Sequence, residues 1–286
     1  MCMKLIHIAE REGKLLSFLR RELGLSSTLV KRLKFRHVYT VNSQTVFTDF
    51  PVKIGDVIEI CMDEDTPEYP AQEGELSILY EDDALIALDK PAGILMHPSS
   101  SRNTDTLANY LLHYYQTTNQ ACAVHPVSRL DRDTFGVVLL AKNSHVHAKM
   151  HAMQKAGQIE KLYHAAVLGA PEAEYGIIDA PIARKSETGM LRCVREDGKS
   201  ARSEFSVLER RNGFSLLELR PLTGRTHQLR VHCAHMGFPI LGDPQYGNDT
   251  LGLPYQQLCA VCLRFRHPMT EKFVEIRSKQ TVCLDF

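Results

Sequence analysis

The chain has 286 residues, 44% hydrophobic and 24% charged, and its 34 basic side chains balance 34 acidic ones. This composition belongs to a soluble globular chain with room for one large domain and a smaller companion. It excludes a membrane-spanning segment, a disordered polyelectrolyte and a uniformly basic nucleic-acid binder. Residues 1–14 contain no apolar core ahead of a cleavage site, so a cytoplasmic location is expected, with the eight cysteines reduced.

In residues 13–36, Leu15, Leu16, Leu19 and Leu23, then Leu29, Val30 and Leu33, recur at three- and four-residue spacing. Two helices are expected, broken at Gly24, with Ser26 or Ser27 as the second cap. Arg20, Arg21, Lys31, Arg32, Lys34 and Arg36 share this pair with one acid, Glu22. One face is therefore strongly positive, suited either to a solvated surface or to a phosphate backbone. Short strand-like runs follow, HVYTVN and TVFTDF joined at Ser43 and Gln44, then PVKIGDVIEI with a turn at Gly55 and Asp56. Residues 63–75, DEDTPEYPAQEGE, are acidic, carry Pro67 and Pro70, and read as a linker.

From residue 76 onward strand-like runs such as LSILYEDDALIALDK alternate with helical ones such as SHVHAKMHAMQKAG, which indicates a mixed α and β domain over residues 76–286. Cys259 and Cys262 form a lone CxxC in an extended apolar stretch, where residues three apart point to opposite faces. No second ligand pair has matching spacing, and no metal is expected. His227, His232 and His235 read as hydrogen-bonding or core histidines.

The segment VSRLDRDTFG, residues 127–136, sets Asp131 beside Arg129 and Arg132 in a turn between two apolar stretches. A carboxylate flanked by guanidinium groups is favoured in its charged form, as a nucleophile requires, although a structural Arg–Asp pair would look the same. Two further segments carry candidates: EKLYHAAVLG with Tyr163, by default a half-buried sheet residue, and RPLTGRTHQLRVHCAHMGFPILGDPQYG. In the latter, Thr223 and Gly224 turn the chain ahead of Arg225.

RLDRDT, KLY and LTGRTHQLRVH with GFPILGD, preceded by LDKPAGILMHPSS, resemble the RluA family of pseudouridine synthases over nearly the whole chain. Residues 1–62 are similar to the small RNA-binding module named after ribosomal protein S-four. The resemblance implies an α+β chain. It has a pseudouridine synthase fold, meaning a mixed and mainly antiparallel sheet with a central cleft, plus a small N-terminal α/β module. It implies conversion of uridine to pseudouridine in structured RNA without cofactor or metal. Ribosomal RNA is favoured and transfer RNA is the alternative. It also implies a monomer with no membrane partner. The family's nucleophile falls on Asp131, the aromatic that stacks on the base on Tyr163, the arginine paired with the nucleophile on Arg225, and the arginine that fills the gap left by the base on Arg129. RNA contacts by Arg20, Arg21, Lys31, Arg32, Lys34 and Arg36 follow from the module.

Three positions depart from the family pattern: Ser128 and Cys259 where histidine is usual, and Phe135 where serine is usual. Two rival readings follow from the residues. One is a phosphatase-like hydrolase using Asp131, Asp133 and magnesium, and the other is an RNA-binding protein with an inert synthase core.

Overall fold

The computed structural model describes residues 3–25, 27–34, 38–62, 69–99, 102–187, 189–247, 251–282 and 284. The chain begins with β1 (Met3–Ile8), β2 (Gly13–Lys14), α1 (Leu15–Ser17), a π-helical turn over Phe18–Glu22, and α2 (Ser27–Lys34). Then come β3 (Tyr39–Val41), β4 (Gln44–Thr45), β5 (Pro51–Val52) and β6 (Val57–Met62). A sheet in the order β1-β6-β3-β4 backs the helices, with Leu15, Phe18, Leu19, Leu25 and Leu33 in its core. The expected break at Gly24 is a left-handed residue at φ 64°. The first helix is shorter than expected. Leu23 N–H donates to the Phe18 carbonyl, and this wider turn carries Phe18 and Leu19 into the core.

The first hairpin joins at Asn42 and Ser43, one residue earlier than the sequence suggested. Both residues have positive φ, 51° and 67°, as a tight two-residue turn demands. Asn42 supports it by accepting from Val57 N–H at 2.9 Å and donating to Asp56 at 2.8 Å. Cys61 is disulfide-bonded, against the expectation of eight reduced thiols. Chain size removes the need for a disulfide; it does not prevent pairing where the fold brings thiols together.

The larger unit contains β7 (Ile78–Glu81), β8 (Leu85–Lys90), α3 (Leu107–Thr117), β9 (His125–Pro126), β10 (Phe135–Ala141), α4 (Ser144–Lys155) and β11 (Ile159–Leu168). It continues through β12 (Tyr175–Asp179), β13 (Ile182–Arg184), β14 (Arg192–Val194), β15 (Arg202–Arg211), β16 (Phe214–Pro221), α5 (Gln228–His235), β17 (Leu258–Arg266) and β18 (Phe273–Arg277). Ten strands form one sheet in the order β12-β15-β16-β11-β17-β10-β8-β7, with β18 on β17 and β9 on β10. The fold is α+β. Among the described residues, helices cover the middle of this sheet and none is long and apolar enough to cross a membrane.

The FGVVLLA run reads as continuous because β10 is buried on both faces. Val137, Leu139 and Ala141 pack with Val146 and Met150 of α4. Val138 and Leu140 face Leu107, Leu111 and Tyr115 of α3. Residues 69–75 run along α3: Gln72 donates to Asp105 at 2.7 Å, and its backbone N–H reaches the Asn109 carbonyl at 3.1 Å.

The two halves of the sheet meet at one narrow seam. β10 and β17 pair in parallel through only Phe135–Cys259 and Gly136–Ala260. Ala260 also pairs with Tyr163 of β11, which pairs with Leu219 of β16. Gly136, Ala260, Tyr163 and Leu219 therefore form one row across four strands, at about 4.8 Å per strand.

Candidate active site

The loop between β9 and β10 ends at that seam. Gly136 has φ 103°, and a Cβ there would lie 2.3 Å from the Ala260 carbonyl oxygen, so only glycine fits. Upstream, Val127 N–H donates to Leu139 O at 2.9 Å. Lys90, fully buried, points Nζ at the carbonyls of Arg132, Pro91 and Ile94 at 2.7, 2.8 and 2.8 Å, and Gly93 N–H adds a second bond to Arg132 O. Burial pushes the Lys90 ammonium down to about 7, while Asp133 and Asp131 pull the other way. The loop is thus held by its backbone. Ser128 and Leu130 point inward, and Arg129 is exposed.

Asp131 stands at the rim with its side chain 30% exposed, and its Oδ2 accepts from Arg230 Nη1 at 3.0 Å. Arg230 lies on α5, buried. Its Nε and Nη2 fork onto Asp243 at 2.8 Å each, Nη2 also donates to Gln245 at 2.9 Å, and its guanidinium stacks 5.0 Å from the centre of the Tyr246 ring. Asp243 is fully buried and accepts from the Gln245 and Tyr246 amides. Burial alone would lower the pKa of Arg230, but the hydrogen bonds and charge of Asp243 and Asp131 outweigh it and raise it. A single guanidinium with a fully saturated rear edge therefore presents one fixed N–H to Asp131.

His227 caps α5 at φ 57°, and its Nε2 lies 3.9 Å from Asp131 Oδ2. Its Nδ1 is 2.8 Å from Tyr246 Oη, which accepts from the Arg192 amide at 2.9 Å. With the phenol donating to Nδ1, the imidazole proton sits on Nε2 and faces Asp131. Burial lowers the His227 pKa, partly offset by Asp131, so the ring is neutral near pH 7. Tyr163 is partly buried between the clusters on either side of β11. Burial, then the charge of Asp131, raises its phenol well above the usual range. It stays protonated, which suits a stacking surface or a hydrogen-bond donor and disqualifies it as a resting-state base.

The expected pairing of Arg225 with Asp131 is corrected: Arg230 occupies that place. Arg225 is exposed and donates through Nε to the Ser200 carbonyl at 2.9 Å. The reason is α5, whose Leu229 and Cys233 pack on Ala165, Val167, Leu217 and Leu219, which turns the next residue, Arg230, toward the loop. Arg225 precedes the helix, and its backbone N–H is tied to Gln228 Oε1 at 3.0 Å. Reading the sequence missed Arg230, Asp243, His227 and Lys90. A usable signal was present in LRVH followed by ILGD: an arginine flanked by apolar residues needs a buried carboxylate, and Asp243 ends the next apolar run.

The remaining expected residues divide. Asp133 is held by Arg132 through two bonds of 2.9 Å, so the two acids of the loop do not converge on one point. His232 is a core histidine, bonded to Ser203 Oγ and the Ala180 carbonyl at 3.0 Å each. Phe135 and Cys259, two of the three unusual positions, are register partners in one buried cluster. On the N-terminal unit, Arg20, Arg21, Lys31 and Lys34 are exposed, and Arg20 bonds Ser27. The side chain of Arg32 and all of Arg36 lie outside the described residues.

Comparison with known proteins accords with this geometry. The sequence pattern described as RNA pseudouridylate synthase matches residues 84–235. A Bacillus subtilis protein, YhcT, described as an uncharacterized RNA pseudouridine synthase, is 34% identical over 267 residues, spanning 91% of this chain and 87% of that protein. Ribosomal large subunit pseudouridine synthase D of Pseudomonas aeruginosa is 37% identical over 217 residues, spanning 71% and 68%. The solved structure of human RNA pseudouridylate synthase domain containing 1 is 27% identical, with a TM-score of 0.62 over 74% of this chain and 86% of that one. A matched pattern across more than half of the chain, laid on a sheet whose seam carries a rigid loop with one arginine-bound carboxylate, shows that the chain belongs to the RNA pseudouridylate synthase family and is an RNA pseudouridine synthase.

Proposed function

We propose that this enzyme isomerises uridine in structured ribosomal RNA with Asp131 as the nucleophile. The observation that carries the reading is the half-satisfied carboxylate: one oxygen is bound by Arg230, and the side chain remains open at the cleft beside Tyr163. A carboxylate so oriented can attack the anomeric carbon or take a neighbouring ribose proton, and either route breaks the bond to the base nitrogen without a leaving group departing the site. Tyr163 stacks on the extruded base, and exposed Arg129 fills the gap in the RNA. Together they offset the few kcal/mol that unstacking costs. No step calls for a cofactor or metal.

Ribosomal RNA is favoured over transfer RNA by the likeness to the Pseudomonas aeruginosa ribosomal large subunit pseudouridine synthase D. Residues 1–62 act as the S-four-like module, with Arg20, Arg21, Lys31 and Lys34 offered to phosphates, residues 63–75 as the acidic connection, and residues 76–286 as the catalytic domain. The enzyme works as a cytoplasmic monomer. A magnesium-dependent hydrolase is disfavoured because Asp133 is already engaged by Arg132.

The test is a map of pseudouridines in total RNA with the wild-type enzyme and with Asp131→Asn. Specific ribosomal sites should lose modification in the variant while RNA affinity persists, because phosphate contacts dominate affinity. Modification retained by Asp131→Asn would remove it as nucleophile.

A further inference from the structure

Beside the Asp131 site lies a separate cleft of about 440 Å³, walled by the β13–β14 hairpin, the segment 197–199 and the turn 224–226. Four cations line it: Arg184, Arg192, Lys199 and Arg225. The carboxylate that also lines it, Asp197, is neutralised by Arg195. Among the described residues, none of the four cations forms an ion pair with a carboxylate. Arg184 and Arg192 instead donate to loop carbonyls, and Arg225 donates to the Ser200 carbonyl. Four like charges around one cavity repel one another, and a fold that keeps them there leaves anionic neutralisation to a ligand.

The cleft is built on a braced frame. Lys199 and Ile182 exchange both backbone hydrogen bonds at 2.9 Å, and a Cβ on Gly198 would lie 2.6 Å from the Ile182 carbonyl carbon, so that glycine permits the closure. Gly224 differs: a Cβ there would meet nothing within 4 Å and its φ is not left-handed, so nothing inside the protein requires a glycine at that wall. A bare backbone facing a cavity suits the close approach of a ligand. The cleft is also contiguous with the chemistry, through the Arg192 amide, Tyr246 Oη and His227, which faces Asp131.

We infer that this cleft is a phosphate-binding subsite that grips the backbone of the RNA strand next to the target uridine, with Arg225 as one of its ligands. The inference rests on the proposed activity on ribosomal RNA, and its test separates the two. The probe is a ribosomal RNA transcript tritiated on the uracil ring. It reports turnover by tritium release and affinity by filter binding across a series of potassium chloride concentrations. Arg184→Gln with Lys199→Gln should make the slope of log affinity against log salt shallower by about 1.5, at 0.7–0.9 per lost phosphate contact. Arg184→Lys with Lys199→Arg should keep the wild-type slope. An unchanged slope in the glutamine pair, with wild-type turnover present, overturns the subsite alone; equal flattening in the charge-preserving pair overturns it as well, by showing a structural effect. Wild-type protein that binds the transcript without releasing tritium overturns the parent reading for this RNA, while the slope comparison still decides the cleft.

Discussion

Arg230 Nη1 lies 3.0 Å from Asp131 Oδ2, although 99 residues separate the two in the chain. The same guanidinium is clamped from behind by the fully buried Asp243. Asp131 is thereby positioned by a charge that cannot swing away.

Replacing Arg230 with methionine should cost about 3–5 kcal/mol, because Asp243 would be left as a buried charge without its partner. Turnover should fall by roughly a hundredfold or more as Asp131 loses its orientation. Arg225→Met should leave the urea midpoint unchanged, since that side chain is exposed. Urea denaturation of both variants with a tritium-release assay checks the assignment; a larger stability loss for Arg225→Met would reverse it.

Gly136→Ala places a methyl 2.3 Å from the Ala260 carbonyl oxygen at a φ of 103°. Backbone strain and overpacking together should cost roughly 2–6 kcal/mol. The seam joins the two halves of the sheet, so activity should fall even in molecules that remain folded. A variant with wild-type melting and turnover would contradict this reading of the seam.

Phe135→Ser should destabilise by about 3–5 kcal/mol, because the ring fills the cluster formed with Cys259, Leu241, Val282 and Leu284. Cys259→His alone would overpack the same space. The double variant should recover part of both losses, with a coupling of roughly 0.5–3 kcal/mol in a double-mutant cycle. Strict additivity would mean that the two unusual positions are unrelated.

His145 is buried in the first turn of α4, and burial, with Lys149 nearby, pushes its pKa down to about 4. The unfolded chain binds this proton from about pH 6.5 and the folded chain only near 4, so stability contributed by the neutral ring is full above pH 6.5 and lost as pH falls toward 4. The loss should reach about 3 kcal/mol. The urea midpoint of wild type should fall relative to that of His145→Leu as pH is lowered from 7 to 4; parallel curves would refute it.

Much of this molecule can be read along the chain because its signals are local. Alternation and apolar runs mark the strands, Gly24 and Gly55 mark turns, and an acid between arginines ahead of a buried strand marks the loop that carries Asp131. Tyr163 is locatable for the same reason, as an aromatic within an alternating strand. Partner choice is a different matter. Arg225 and Arg230 stand five residues apart in one motif, and nothing local says which one meets Asp131; Leu229 and Cys233 decide it by docking α5 on β11 and β16. The row from Gly136 through Ala260 to Tyr163 likewise joins three segments distant in sequence. So does the basic cleft, where the hairpin and the turn at Gly224 come together. Residue type and spacing follow from short-range chemistry, whereas the pairing of charges across the fold is set by long-range packing, which no window of sequence contains.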